Sequence, residues 1–132
     1  MTMKQHFSML AAYNAWANDL IYDAAAELGE TALWEDVGVA FTSLGGTLNH
    51  ILVADRIWLR RFTGKGDAPS ALDTILFRDL ASLRAARMAE DKRINDFLAE
   101  LTSENLRGRF SYLTVSDLRT ISQRLAPALA HF

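Results

Sequence analysis

The chain has 132 residues, half of them hydrophobic, which is enough for one compact domain with one core and too few for two. Lysine and arginine number 14 against 16 aspartates and glutamates, a net charge of −2, so nothing electrostatic recommends nucleic acid or an anionic membrane as partner. Cysteine is absent, which excludes disulfides, thiolate nucleophiles and cysteine metal sites and leaves histidine and carboxylate as the donors for any metal.

Apolar residues recur every three or four positions over long windows, the helical signature. The first helix is expected from about residue 3, with Phe7, Leu10, Ala17, Leu20, Ile21, Ala24 and Leu28 as its inward stripe and Gly29 as its stop. "TALWEDVGVAFTS" reads as a connection. Thr42 or Ser43 then caps a second helix carrying Leu48, Ile51, Leu52, Trp58 and Leu59, which Gly64 ends. The loop "GKGDAPSALDT" separates it from a third helix, expected from about Leu76 to Leu101, with Leu80, Leu83, Met88, Ile94, Phe97, Leu98 and Leu101 inward and "RAARMAEDKR" as a charged outer face. The β-branched and aromatic stretch "LRGRFSYLTVSDLRTISQRL" predicts two short extended segments turning near Ser116 and Asp117. "LAPALAHF", from Leu125, opens a fourth helix that stops after its first turns, proline near a helix start costing no hydrogen bond. The expected architecture is all-α: a single domain over residues 1–132, an up-and-down four-helix bundle with its last helix cut short. "MTMKQHFSML" offers no sustained apolar core for a signal peptide, and no run approaches the roughly 20 apolar residues of a membrane span, so a cytoplasmic location is expected.

His50 sits in the second helix on a face of small residues, Gly46, Thr47 and Ala54, which leaves room beside an imidazole. It either packs with its ring nitrogens bonded to the chain or serves as a ligand, and a lone histidine builds no site. His131, on the incipient fourth helix, can approach the second helix in an antiparallel bundle or lie in solvent at the chain end; His6 is expected in solvent. Asn14 and Asp55 lie near inward stripes, and Arg87 with Asp91 is expected to form a modest surface pair at i, i+4 spacing. Tyr13, Trp16 and Trp58 read as core or interface aromatics. No nucleophile elbow, phosphate-binding glycine loop or H-E-x-x-H occurs.

"YNAWANDLIYDAAAEL", "SLGGTLNHILVADRIWLRRFTG", "LRAARMAEDKRINDFLAEL" and "ISQRLAPALAHF" together resemble the DinB family of bacterial helical bundles, over essentially the whole chain. The second block is the most specific, a T-L-x-H-[IL]-x-x-x-D-x-x-W-L pattern in Thr47, Leu48, His50, Ile51, Asp55, Trp58 and Leu59. The resemblance implies a four-helix bundle, often dimeric, in which three histidines bind one divalent metal, nickel or zinc. One ligand comes from the second helix, where His50 matches it. Two come from a motif like N-H-x-x-H-H-R-G-Q, which would follow "LAHF" directly and which this sequence lacks; His131 falls one helical turn ahead of it. His50 and His131 are thus the candidate ligands. Activity by resemblance is that of a metal-dependent transferase or hydrolase activating a low-molecular-weight thiol. The alternative is a non-catalytic oligomeric bundle with a vestigial metal site. A homodimer is expected either way, since three helices alone leave apolar surface uncovered.

Overall fold

The computed structural model describes residues 1–115 and 117–132. Three long helices dominate it: α1 (Met3–Leu33), α2 (Leu44–Thr63) and α3 (Leu80–Glu100). A single turn α4 (Ser103–Arg107), an antiparallel hairpin β1 (Arg109–Leu113) and β2 (Thr120–Arg124), and a short α5 (Leu125–His131) follow. The chain is therefore mostly helical with a small two-stranded sheet. α3 packs against both α1 and α2, whereas α1 and α2 touch each other little. Among the described residues no helix is long and apolar enough to cross a membrane.

Local chemistry explains the boundaries. The Thr2 hydroxyl and the Gln5 side chain cap α1 reciprocally, and Ser43 Oγ accepts from the Gly46 amide at 3.0 Å to start α2. Gly64, at φ 71°, ends α2 in the left-handed region that glycine enters without strain. Gly29 does not end α1; it kinks it at φ 78°, and one more turn runs on to Leu33. That turn delivers Trp34 onto the start of α2, where a Cβ on Gly45 would meet the indole at 2.5 Å.

α3 begins four residues later than expected. The amides of Leu76 and Phe77 are taken by Asn49 Oδ1, at 2.8 and 3.1 Å, and so cannot join a helix start. The helix begins where Asp79 Oδ2 accepts from the Ser82 amide. The hairpin appears where the alternation places it, with Phe110 opposite Gln123 and Tyr112 opposite Ile121 on its half-buried face. Ser116, half of the predicted turn, lies outside the described residues.

Two apolar clusters form the core. Phe7, Leu59, Ile94, Leu98, Leu106 and Leu129 make one; Tyr22, Leu33, Leu48, Leu52 and Leu83 make the other. Between them along the helices lies a buried polar layer, and here two expectations are corrected. Arg87 and Asp91 are not a surface pair: Arg87 is 2% exposed and Asp91 5%. The α1 stripe is also turned, with Phe7, Ala11, Asn18, Tyr22 and Ala25 inward and Leu10, Leu20, Ile21 and Leu28 in solvent. Both corrections share a cause, because the face that carries Asn14 and Asn18 is the one that can bond Asp91. Met88 is likewise exposed, its neighbour Arg87 taking the inward position.

Candidate functional site

α2 carries the candidate residues in sequence along its length. His50 follows the Ser43 cap by two turns. Its Nδ1 lies 2.8 Å from the carbonyl oxygen of Leu72, in the loop between α2 and α3. A carbonyl only accepts, so Nδ1 carries the proton and donates it, and in the neutral ring Nε2 keeps its lone pair. The ring stacks on Phe41, with centroids 3.7 Å apart and planes 14° from parallel. An imidazole with one nitrogen bonded to a backbone carbonyl and the other free is the arrangement in which a histidine ligates a metal.

His131 is exposed at the end of α5, its ring edge-on to Trp58 at 5.8 Å between centroids. Trp58 stands eight residues beyond His50 on α2, a rise of about 12 Å. The two imidazoles therefore rest against different partners at different levels of the helix. His6 is exposed on the first turns of α1 beside Phe7. Among the described residues no three histidine, aspartate or glutamate side chains gather as a metal shell. His50 has the hydrogen bond that orients a ligating histidine, and among the described residues no full donor set gathers around it.

Asp55 belongs to the buried layer. Its Oδ2 stands 2.6 Å from Arg87 Nη2, and Asp91 Oδ1 lies 2.7 Å from the same nitrogen on the other side. Arg87 Nε donates to Asp91 Oδ1 at 2.9 Å, and Asn18 Nδ2 donates to both Asp91 oxygens. Nη2 sits off the hydrogen-bonding direction of either carboxylate, and Nη1 has no partner among the described residues. Burial pushes the Asp55 carboxyl above its ordinary range, with Arg87 opposing. Burial also works against the Arg87 charge, yet the two carboxylates outweigh it and hold the guanidinium protonated. Burial raises the nearby Tyr22 hydroxyl to about 12. Asp55 also reaches the floor of a groove of about 300 Å³ whose walls include Leu10, Asn14, Phe97, Leu129 and Phe132.

Sequence reasoning missed the residues that set the histidine. Phe41 and Leu72 lie in connections, and no periodicity marks them. Asn49 was visible as a polar residue inside an apolar helix, and that was the available signal. Fully buried, it donates to the carbonyls of Gly45 and Phe77 while accepting from the Leu76 and Phe77 amides, tying the loop to α2.

A model of the DinB family matches residues 3–132. A Bacillus subtilis (strain 168) protein described as Protein DinB is 32% identical over 56 residues, covering 42% of this chain and 33% of that protein. The chain thus spans about a third of the length of the curated relative it matches. No solved structure matches it.

Proposed function

Since the chain belongs to the DinB family, we propose that it is a helical bundle of the cytoplasm that contributes one ligand, His50 Nε2, to a divalent metal, nickel or zinc. The observation that carries this reading is the hydrogen bond from His50 Nδ1 to the Leu72 carbonyl, which fixes the tautomer with Nε2 free. Phe41 covers one face of the ring and limits its rotation. The Asp55–Arg87–Asp91 layer, one to two turns along α2, holds that helix on α3. His131 is the second candidate ligand, and to join His50 it would have to leave Trp58.

The remaining donors, and the fourth helix of a complete bundle, would come from residues outside these 132 or from a second copy. The apolar face of α1 left in solvent, with Leu10, Tyr13, Leu20 and Leu28, supports such a covering and a homodimer. With an open coordination position, a bound ion would supply Lewis acidity that favours the thiolate of a low-molecular-weight thiol for transfer. A non-catalytic bundle is the second reading. The observation favouring it is that the described residues gather no three-donor cluster.

Calorimetric titration of nickel and zinc tests the first reading. The chain should bind weakly, His50→Ala should abolish that binding with the helical spectrum unchanged, and a C-terminal extension carrying two histidines one turn apart should raise affinity steeply. Equal affinity with and without the extension, or binding that survives His50→Ala, would leave the non-catalytic bundle.

A further inference from the structure

A second groove opens at the far end of α2, between its last turn, the following loop and the hairpin. It encloses about 420 Å³, and its walls include Arg60, Arg61, Ser70, Ser111, Leu113 and Ile57. Arg61 is its unusual member. The guanidinium carbon lies 4.6 Å from the centroid of the Trp58 ring and 4.2 Å from that of Tyr112, so the group sits in the corner formed by two rings whose planes are 64° apart. Gln123 Nε2 donates to the Tyr112 hydroxyl from the neighbouring strand and steadies that wall. No carboxylate among the described residues pairs with Arg61, and none lines the groove. Its Nε is buried and has no acceptor among the described residues.

The position of two arginines in the last turn of α2 has an ordinary cause, since cations are favoured at a helix C-terminus. Stacking likewise explains why an arginine suits the place. Neither supplies a counter-charge for the guanidinium. With Nε closed in, the two Nη groups at the end of the guanidinium are left as a two-donor fork, which matches the two oxygens of a carboxylate. Beside the fork, Ile57 and Leu113 give the groove an apolar wall, and the lining carries positive charge in a chain whose net charge is −2.

We propose that this groove binds a small organic carboxylate with an apolar body, its head on Arg61 and its body along Ile57 and Leu113. The site is separate from His50 and does not depend on the metal reading.

The test uses the full chain, freed of metal by chelation and dialysis, with benzoate as probe and the arginine Nε–H resonances followed by nitrogen-edited NMR. The Arg61 signal, identified by its loss in Arg61→Lys, should shift saturably with benzoate. Benzyl alcohol, which keeps the ring and lacks the anion, should not compete. Arg61→Lys should weaken benzoate at least about tenfold, because lysine keeps the charge and lacks the fork. Leu113→Ser, at an exposed position, should weaken benzoate and leave inorganic phosphate unaffected. An unmoved Arg61 signal, effective competition by benzyl alcohol, or phosphate binding as tightly as benzoate would overturn the proposal. The benzyl alcohol and phosphate comparisons use the wild-type chain alone and stand even if Arg61→Lys fails to fold.

Discussion

Replacing Arg87 by methionine should be among the most damaging single changes in this protein. The arginine is 2% exposed and lies between the carboxylates of Asp55 and Asp91, so methionine fills much of its volume while stranding two acids in the interior. Breaking a buried pair in this way costs about 3–5 kcal/mol. A chain of 132 residues has a total stability of roughly 7–15 kcal/mol, so the loss is between about a fifth and about seven-tenths of it. Asp55→Asn should behave differently. It leaves one arginine facing one carboxylate, a balanced pair, and removes a carboxyl whose ionisation burial already disfavours; its cost should stay within about 1 kcal/mol. The pH dependence follows from the same sign. A carboxyl raised in the folded state favours folding below its unfolded value and loses that contribution as pH rises through the raised one. With Arg87 gone, the Asp55 carboxyl is raised further, so the deficit of Arg87→Met should narrow as pH falls toward about 4. Urea unfolding followed by circular dichroism, at neutral pH and near that value, measures all of this. A loss below about 1 kcal/mol for Arg87→Met, or equal losses for the two variants, would refute the argument.

Asn49→Ala should cost about 2–4 kcal/mol in the same assay, because it strands the amides of Leu76 and Phe77 and opens a cavity at a fully buried position. An unchanged midpoint would mean that the loop is not held by this side chain. Trp58→Ala should cost about 2 kcal/mol, less than a fully buried tryptophan would, since the ring is half-buried among Phe62, Tyr112 and His131. A loss of 4 kcal/mol or more, the range of a sealed core site, would place the ring deeper than described.

The three long helices and the hairpin were legible in the sequence because each rests on local repetition, of period near four or of period two. What escaped was the choice of face. Along α1 the strongest apolar stripe runs through Leu10, Leu20 and Leu28, yet the buried face carries Asn18, whose value lies in bonding Asp91, 73 residues away. The spacing of Arg87 and Asp91 looked like an ordinary surface pair for the same reason, since nothing local tells that a third charge, Asp55, comes from another helix. His50 was singled out by its motif and its small neighbours. The groups that orient it were hidden, because one is a backbone carbonyl, which every residue has, and the other is an aromatic ring in a connection. Arg61 passed unnoticed because its meaning depends on Tyr112, which reaches it from the hairpin.

The fastening of the loop by Asn49 bears on how this chain can tolerate change. Leu72, whose carbonyl holds the His50 proton, lies four residues before the Leu76 amide that Asn49 anchors. Lengthening the chain ahead of Pro69 would leave that short span intact. One residue inserted between Leu72 and Leu76 would move the carbonyl off the ring and release the proton to either nitrogen. Surface loops ordinarily absorb insertions at little cost; here the stretch 72–76 should resist them, although none of its own side chains touches the imidazole through the bond that matters. A deletion or insertion series through the loop would therefore show two tolerances in one connection, permissive before Pro69 and strict after Leu72.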